Sequence, residues 1–270
     1  MDGIGASKNT PLVRNLSFLV LSLLAFACAA ATDAPVVTSC QLPSDQGGTL
    51  HGFWTLKPVP IAFHAGDFST SEMAAMTAAA NTWNQFYSSS QKFQIIDYGT
   101  ASSPRTSTNA KPMSQCGETI IGTGAGALYS APVVIYKDAS WPTSYGSQTI
   151  ALTSYCLNTA ATTAIKPMTM AYVEINYQNY FTTSEVPDLQ TIVLHELGHV
   201  AGLGHSCEVT GTTGVPDCST NDTYTDAVMA PVFPFNSSGA GVQKRALTSN
   251  DEGRANCLYD GGITGTTTTN

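Results

Sequence analysis

Apolar residues recur at helical spacing in some stretches of the chain and at strand spacing in others. Met73, Met76, Ala80, Trp83 and Tyr87 share one face of a helix expected over about 70–88. Ser69-Thr70-Ser71-Glu72 leads into it with capping-box spacing, where a hydroxyl and a carboxylate three residues later satisfy the free amides of a first turn. This stripe of methionine and aromatic side chains reads as core. A second helix is expected over about 186–201, with Pro187 and Asp188 in its first turn, as helix starts prefer. A last helix is expected over 250–259. Residues 60–64, 93–96 and 132–136 read as short strands. Between 169 and 177, Ala171, Val173, Ile175 and Tyr177 alternate with Tyr172, Glu174 and Asn176, the period of a half-buried strand. Residues 32–52 are polar and broken by Pro43, Gly47 and Gly48, so they read as a linker. Residues 100–117 read as a loop, the stretch after 201 as irregular to about 247, and 262–270 as a loose tail.

Composition narrows the function. Hydrophobic residues make up 43% of the 270 and charged residues 11%, enough apolar surface for one sizeable buried core, expected over 53–261. A net charge of −8 argues against nucleic acid as partner, because phosphates need a basic face.

The N-terminus reads as an export signal over 1–31. Lys8 and Arg14 precede a short apolar stretch that ends in Ala25, Ala27, Ala29, Ala30 and Ala31, too short for a membrane span. The expected destination is extracellular. Periplasmic retention, or a lipid anchor at Cys28, is the lesser option, since Ala25-Phe26-Ala27 fits a lipidation site loosely. Cys28 aside, six cysteines remain without a C-x-x-C pair, which in an exported protein points to disulfides. Sequence does not choose among the many pairings. The working set is Cys207–Cys218, Cys116–Cys156 and Cys40–Cys257, the first the safest because its loop is short.

The chemistry concentrates in His195-Glu196-Leu197-Gly198-His199-Val200-Ala201-Gly202-Leu203-Gly204-His205, which holds three of the five histidines. At about 100° per residue, His195 and His199 lie one turn apart on one helix face and can reach a single ion. Leu189, Val193, Leu197 and Val200 are placed to bury the opposite side. Gly202 permits the sharp turn that returns His205 to the same ion. Three neutral imidazoles leave one position of a tetrahedral zinc open for water, as catalytic rather than structural sites do. Glu196 is the expected base, taking the proton of that water as it attacks a peptide carbonyl.

This segment resembles the zinc motif of the metzincin metalloproteases and, with Ser206 after the third histidine, that of the matrixins. Ala227-Val228-Met229-Ala230-Pro231 is similar to their Met-turn, and Leu247-Thr248-Ser249-Asn250-Asp251-Glu252 to the start of their C-terminal helix. The resemblance implies a zincin-like α/β fold: a mostly parallel twisted sheet with an antiparallel edge strand, a long active-site helix and a C-terminal helix. It implies Met229 as a support beneath the metal, the strand at 169–177 as the edge that pairs with an extended substrate, and residues 231–247 as a pocket wall. A secreted monomeric zinc endopeptidase acting on protein or peptide substrates is the expectation. Three departures stand out. No histidine lies between 65 and 194, so a second, structural zinc is not expected; no matrixin-like latency sequence is visible; and Pro231 stands where some metzincins place a tyrosine. Calcium stays open as a second ion, because loop carbonyls and scattered aspartates leave no readable spacing. Two other readings compete: an exported zinc-binding module without turnover, and a hydrolase of non-protein amides. His51 and His64, outside the motif, read as ordinary histidines.

Overall fold

Helix α1 (Thr70–Ser90) shows how local chemistry sets an element here. Ser69 and Glu72 form the expected capping box at its start. Met76, Ala80, Trp83 and Tyr87 are buried along one face, and the helix stops before Lys92 turns to positive φ. The structure, a computed structural model, describes residues 36–111, 133–181 and 184–260. The expected signal segment, Cys28, Cys116 and the 262–270 tail lie outside the described residues.

The architecture is α/β with a mostly parallel sheet. Its strands are β1 (Gly52–Phe53), β2 (Val59–His64), β3 (Ile96–Asp97), β4 (Thr106–Ser107), β5 (Val133–Asp138), β6 (Ala151–Leu157) and β7 (Lys166–Asn176). β2, β5 and β7 run parallel side by side, with β3 and β4 on β2 and β1 on the start of β7. Among the described residues β6 alone is an antiparallel strand of the sheet, pairing with β7 from Ala151↔Ile175 to Leu157↔Met168.

Two strand expectations need correction. The strand at 169–177 is β7, but it is not the edge: β5 flanks one side and β6 the other. β6 is the antiparallel strand that pairs, among the described residues, with β7 only. The pattern Ala-Leu-Thr-Ser-Tyr-Cys-Leu hides it, because small polar residues stand on both faces. Nor is β7 half-buried. Ala171, Val173 and Ile175 join the main core, while Met170 and Tyr172 pack with Val134, Tyr136 and Cys156 on the other face. Glu174 is fully buried there and meets the Lys111 ammonium at 2.6 Å, as does Asp138.

Helices α2 (Leu189–Ala201) and α1 cover the main face of the sheet. Trp83 Nε1 donates to the Leu194 carbonyl at 2.8 Å, so α1 grips α2 by a hydrogen bond as well as by apolar contact. A short helix α3 (Asp222–Asp226) and the last helix α4 (Ser249–Tyr259) complete the chain. α4 carries a second capping box, between Thr248 and Asp251. Asp188 is the N-cap of α2 rather than a first-turn residue, its carboxylate accepting the Thr191 N–H at 3.0 Å.

Residues 36–52, expected as a linker, belong to the same compact unit as the rest. Cys40 is disulfide-bonded to Cys257 on α4, and Gln46 and Thr49 are fully buried. Cys207–Cys218 forms as expected, and Cys156 is disulfide-bonded too, its expected partner Cys116 lying outside the described residues. No helix among the described residues is long and apolar enough to cross a membrane.

Candidate metal centre and cleft

α2 delivers the first two histidines. His195 and His199 sit one turn apart with ring centroids 4.7 Å apart. Gly202 then ends the helix at φ 112°, a left-handed conformation that glycine adopts without strain, and its N–H caps the carbonyls of Gly198 and His199. The chain turns back so that the His205 ring lies 5.3 Å from that of His195 and 4.9 Å from that of His199. One ligand atom from each of the three lies within 4.8 Å of the others.

The rings are also oriented for a metal. His195 Nδ1 is 2.8 Å from the Val228 carbonyl, and His199 Nδ1 is 2.7 Å from the Leu203 carbonyl. A carbonyl oxygen only accepts, so each Nδ1 carries the proton and each Nε2 keeps a free lone pair. Burial reinforces this. It pushes His195 down to about 3, helped by the neighbouring His205, and His205 down to about 4, helped by His51. His199 is driven well below its ordinary value by burial and then by the other two rings. Three imidazoles kept neutral, with lone pairs converging, are a donor set that fits zinc. A metal ion is compatible with this cluster, and these residues are the ones that would hold it.

Glu196 lies beside the histidines, 4% exposed, and burial raises its carboxyl to about 7 against the opposing hydrogen bond from Thr153. Thr153, on β6, donates to Glu196 Oε2 at 2.6 Å. Sequence reasoning missed this contact entirely: the partners are 43 residues apart and no motif links them.

Met229 is fully buried, and a methyl group placed on Gly198, just ahead of His199, would strike its sulfur. The turn around Met229 is pinned from α4, where the Asp251 carboxylate accepts the Val228 N–H at 2.9 Å and the Met229 N–H at 3.1 Å. The Val228 carbonyl in turn holds His195, so a chain of hydrogen bonds runs from α4 to a histidine of the cluster. In the sequence Asp251 has no role of its own beyond a place in the expected last helix. Arg254, also fully buried, donates to the Gly204 carbonyl at 3.1 Å and steadies the loop ahead of His205.

The three histidines and Glu196 line a cleft of 880 Å³. β6 forms one wall through Ala151, Leu152, Thr153 and Tyr155. Opposite, Phe233 stands edge-on to His195 at 5.0 Å, and Phe235 stacks on Tyr180 at 6.2 Å. The expected wall over 231–247 is shorter than that. Pro231, Val232, Phe233 and Phe235 line the cleft, whereas Gly241, Lys244 and Arg245 bond back to Val186, Thr191 and Asp188 around the start of α2. His51 was read as ordinary, yet it lines the cleft at the Tyr155 end, its ring filling the space that a side chain at Gly204 would need. His64 stays outside, paired with Asp67 at 2.9 Å.

Compared with protein-family models, the chain matches none, and no curated protein matches it.

Proposed function

We propose that this chain is a zinc-dependent endopeptidase of zincin-like architecture, akin to the matrixins among the metzincins. The observation that carries the proposal is the convergence of His195, His199 and His205 to within 4.8 Å beside a buried carboxylate in an open cleft. A zinc ion held by those three residues would supply Lewis acidity that activates water and polarises a peptide carbonyl.

The chain's own groups do the rest. Glu196 takes the proton of the attacking water and passes it to the leaving amine, a task suited to a carboxyl raised to about 7. Val228 and Leu203 hold the imidazoles in the tautomer that leaves Nε2 free. β6, the antiparallel strand that walls the cleft, lies alongside an extended substrate and sets its direction. This role, first expected of the strand at 169–177, passes to Ala151–Leu157. Phe233 beside the metal ligands and the Phe235–Tyr180 stack favour an apolar side chain next to the cut. The disulfides fit action in an oxidising compartment, outside the cell.

The test uses the purified protein with an unfolded protein as substrate. Stoichiometric zinc, cleavage abolished by a chelator and restored by zinc, and a loss of about 10²–10⁴-fold in Glu196→Ala are expected. A protein that holds zinc but cuts nothing would instead be a metal-binding module, and cleavage confined to non-peptide amides would change the reaction class.

A further inference from the structure

We propose that Thr153 is a positioning residue for the general base, holding one oxygen of Glu196 so that the other faces the reacting water. The inference rests on the endopeptidase reading above.

Thr153 sits at the middle of β6, and its place is set by the ladder: it lies opposite Val173 on β7, a fully buried core residue. Neighbours on alternate sides of the strand divide cleanly. Ser154 and Cys156 are buried on the far face, whereas Ala151 and Tyr155 pack against the main core together with α2. Thr153 therefore points towards α2, where its Oγ1 lies 2.6 Å from Glu196 Oε2 and 3.4 Å from the Glu196 carbonyl. A carboxylate's last torsion is broad and roughly two-fold, so Glu196 without a lateral partner would sample many orientations. The hydroxyl removes that freedom. Threonine suits the task because its branched Cβ is stiff at χ1, which fixes the direction of the hydroxyl as well as its presence.

The bond also joins two functions in one strand. β6 lines the cleft that would take the substrate and, from the same strand, holds the base that acts on it. A substrate bond registered against β6 is thus registered against Glu196. Misplacing a catalytic group by about 1 Å costs about 100-fold in rate, so loss of the tether should fall on turnover rather than on binding.

The experiment compares zinc-loaded wild type, Thr153→Val and Thr153→Ser on one peptide substrate, with metal content measured for each. Thr153→Val keeps the shape and loses the hydroxyl; kcat should fall about 10–100-fold while KM stays within about twofold. Thr153→Ser restores the donor and should recover most of that loss. A second reading needs no activity. Thermal melts of the metal-free proteins, across Thr153→Val, Glu196→Ala and the double variant, should be non-additive, since groups in contact couple. A Thr153→Val enzyme with unchanged kcat, a Thr153→Ser variant no better than valine, or additive melting shifts would each overturn the positioning role. A zinc-loaded wild type without turnover would instead bring down the peptidase reading, and this inference with it.

Discussion

Gly202→Ala is the sharpest test of how the third histidine reaches the site. Gly202 has φ 112°, and a Cβ there would sit 2.8 Å from the Gly52 carbonyl carbon and closer still to its oxygen. Carbon atoms pack at about 3.5–4.0 Å, so β1 or the turn must move by about 1 Å. Neither is free to do so, because the His51 and Gly52 amides both donate to the Gly202 carbonyl, at 2.8 and 3.3 Å. The left-handed conformation costs an alanine about 1–2 kcal/mol and the overpacking about 1–3 kcal/mol. The sum, about 2–5 kcal/mol, corresponds to a Tm lower by roughly 5–15 °C in a domain of this size. His205 lies three residues on, so a displaced turn should also weaken zinc binding by about 10–100-fold, as other changes that misdirect a ligand do. Thermal melts of the metal-free protein and competition with a zinc indicator read the two effects separately. An alanine variant that melts with the wild type and binds zinc as tightly would refute the argument that this bend places His205.

Other outcomes follow from the same packing. Gly198→Ala should destabilise, although alanine gains about 1 kcal/mol of helix propensity, because its methyl would strike the Met229 sulfur and meet Trp83 at 3.0 Å, at an overpacking cost of about 1–3 kcal/mol; a stabilised variant in denaturant melts would show that Met229 and Trp83 yield. Asp251→Ala should cost about 3–5 kcal/mol, since it frees two amides of the Met229 turn and leaves Arg254 buried without its counter-charge; a loss below about 1 kcal/mol would argue against the pin. Burial pushes Glu72 up, but Lys137, Tyr177 and Ser69 together hold it down to about 2. Because the unfolded carboxyl titrates near about 4.3, the unfolded state binds the proton first as pH falls, so Glu72 stabilises above that value and the effect fades towards pH 2. Melts of the metal-free protein from pH 6 to about 2.5 should therefore be flatter for Glu72→Gln than for wild type, and parallel curves would contradict this. Phe233→Ala and Phe235→Ala should each change the side chain preferred beside the cut in peptide-library mapping; unchanged preferences in both would remove them from the pocket wall.

What could be read from the chain was what is local. Helix α1 follows from Ser69, Glu72 and a stripe at helical spacing, and the His195–His205 cluster follows from one turn of helix and one glycine, all within eleven consecutive residues. The missed features pair residues far apart. β6 shows no period of its own, because Thr153 and Tyr155 face α2 while Ser154 and Cys156 are buried on the far side, so each face mixes a small polar residue with apolar ones. Asp251 falls in the expected last helix, but nothing near it marks an acceptor for Val228 and Met229, more than twenty residues earlier. Gln46 bonds the Ser206 carbonyl and Asn250, neither of which any window around Gln46 contains. Glu174, polar by type, is buried because Lys111 comes from a distant loop to neutralise it.

The segment before β1 has a practical bearing. Anyone shortening this chain by its composition would start near residue 53, and would thereby discard the half-cystine that anchors α4, the amide that clasps the loop after His205 and the backbone that braces the helix end at Gly202. The histidine motif would be intact on paper while its scaffold had lost a side. For the same reason, proteolytic trimming of residues 40–52 would loosen the scaffold of the histidine cluster, although it removes none of the three rings.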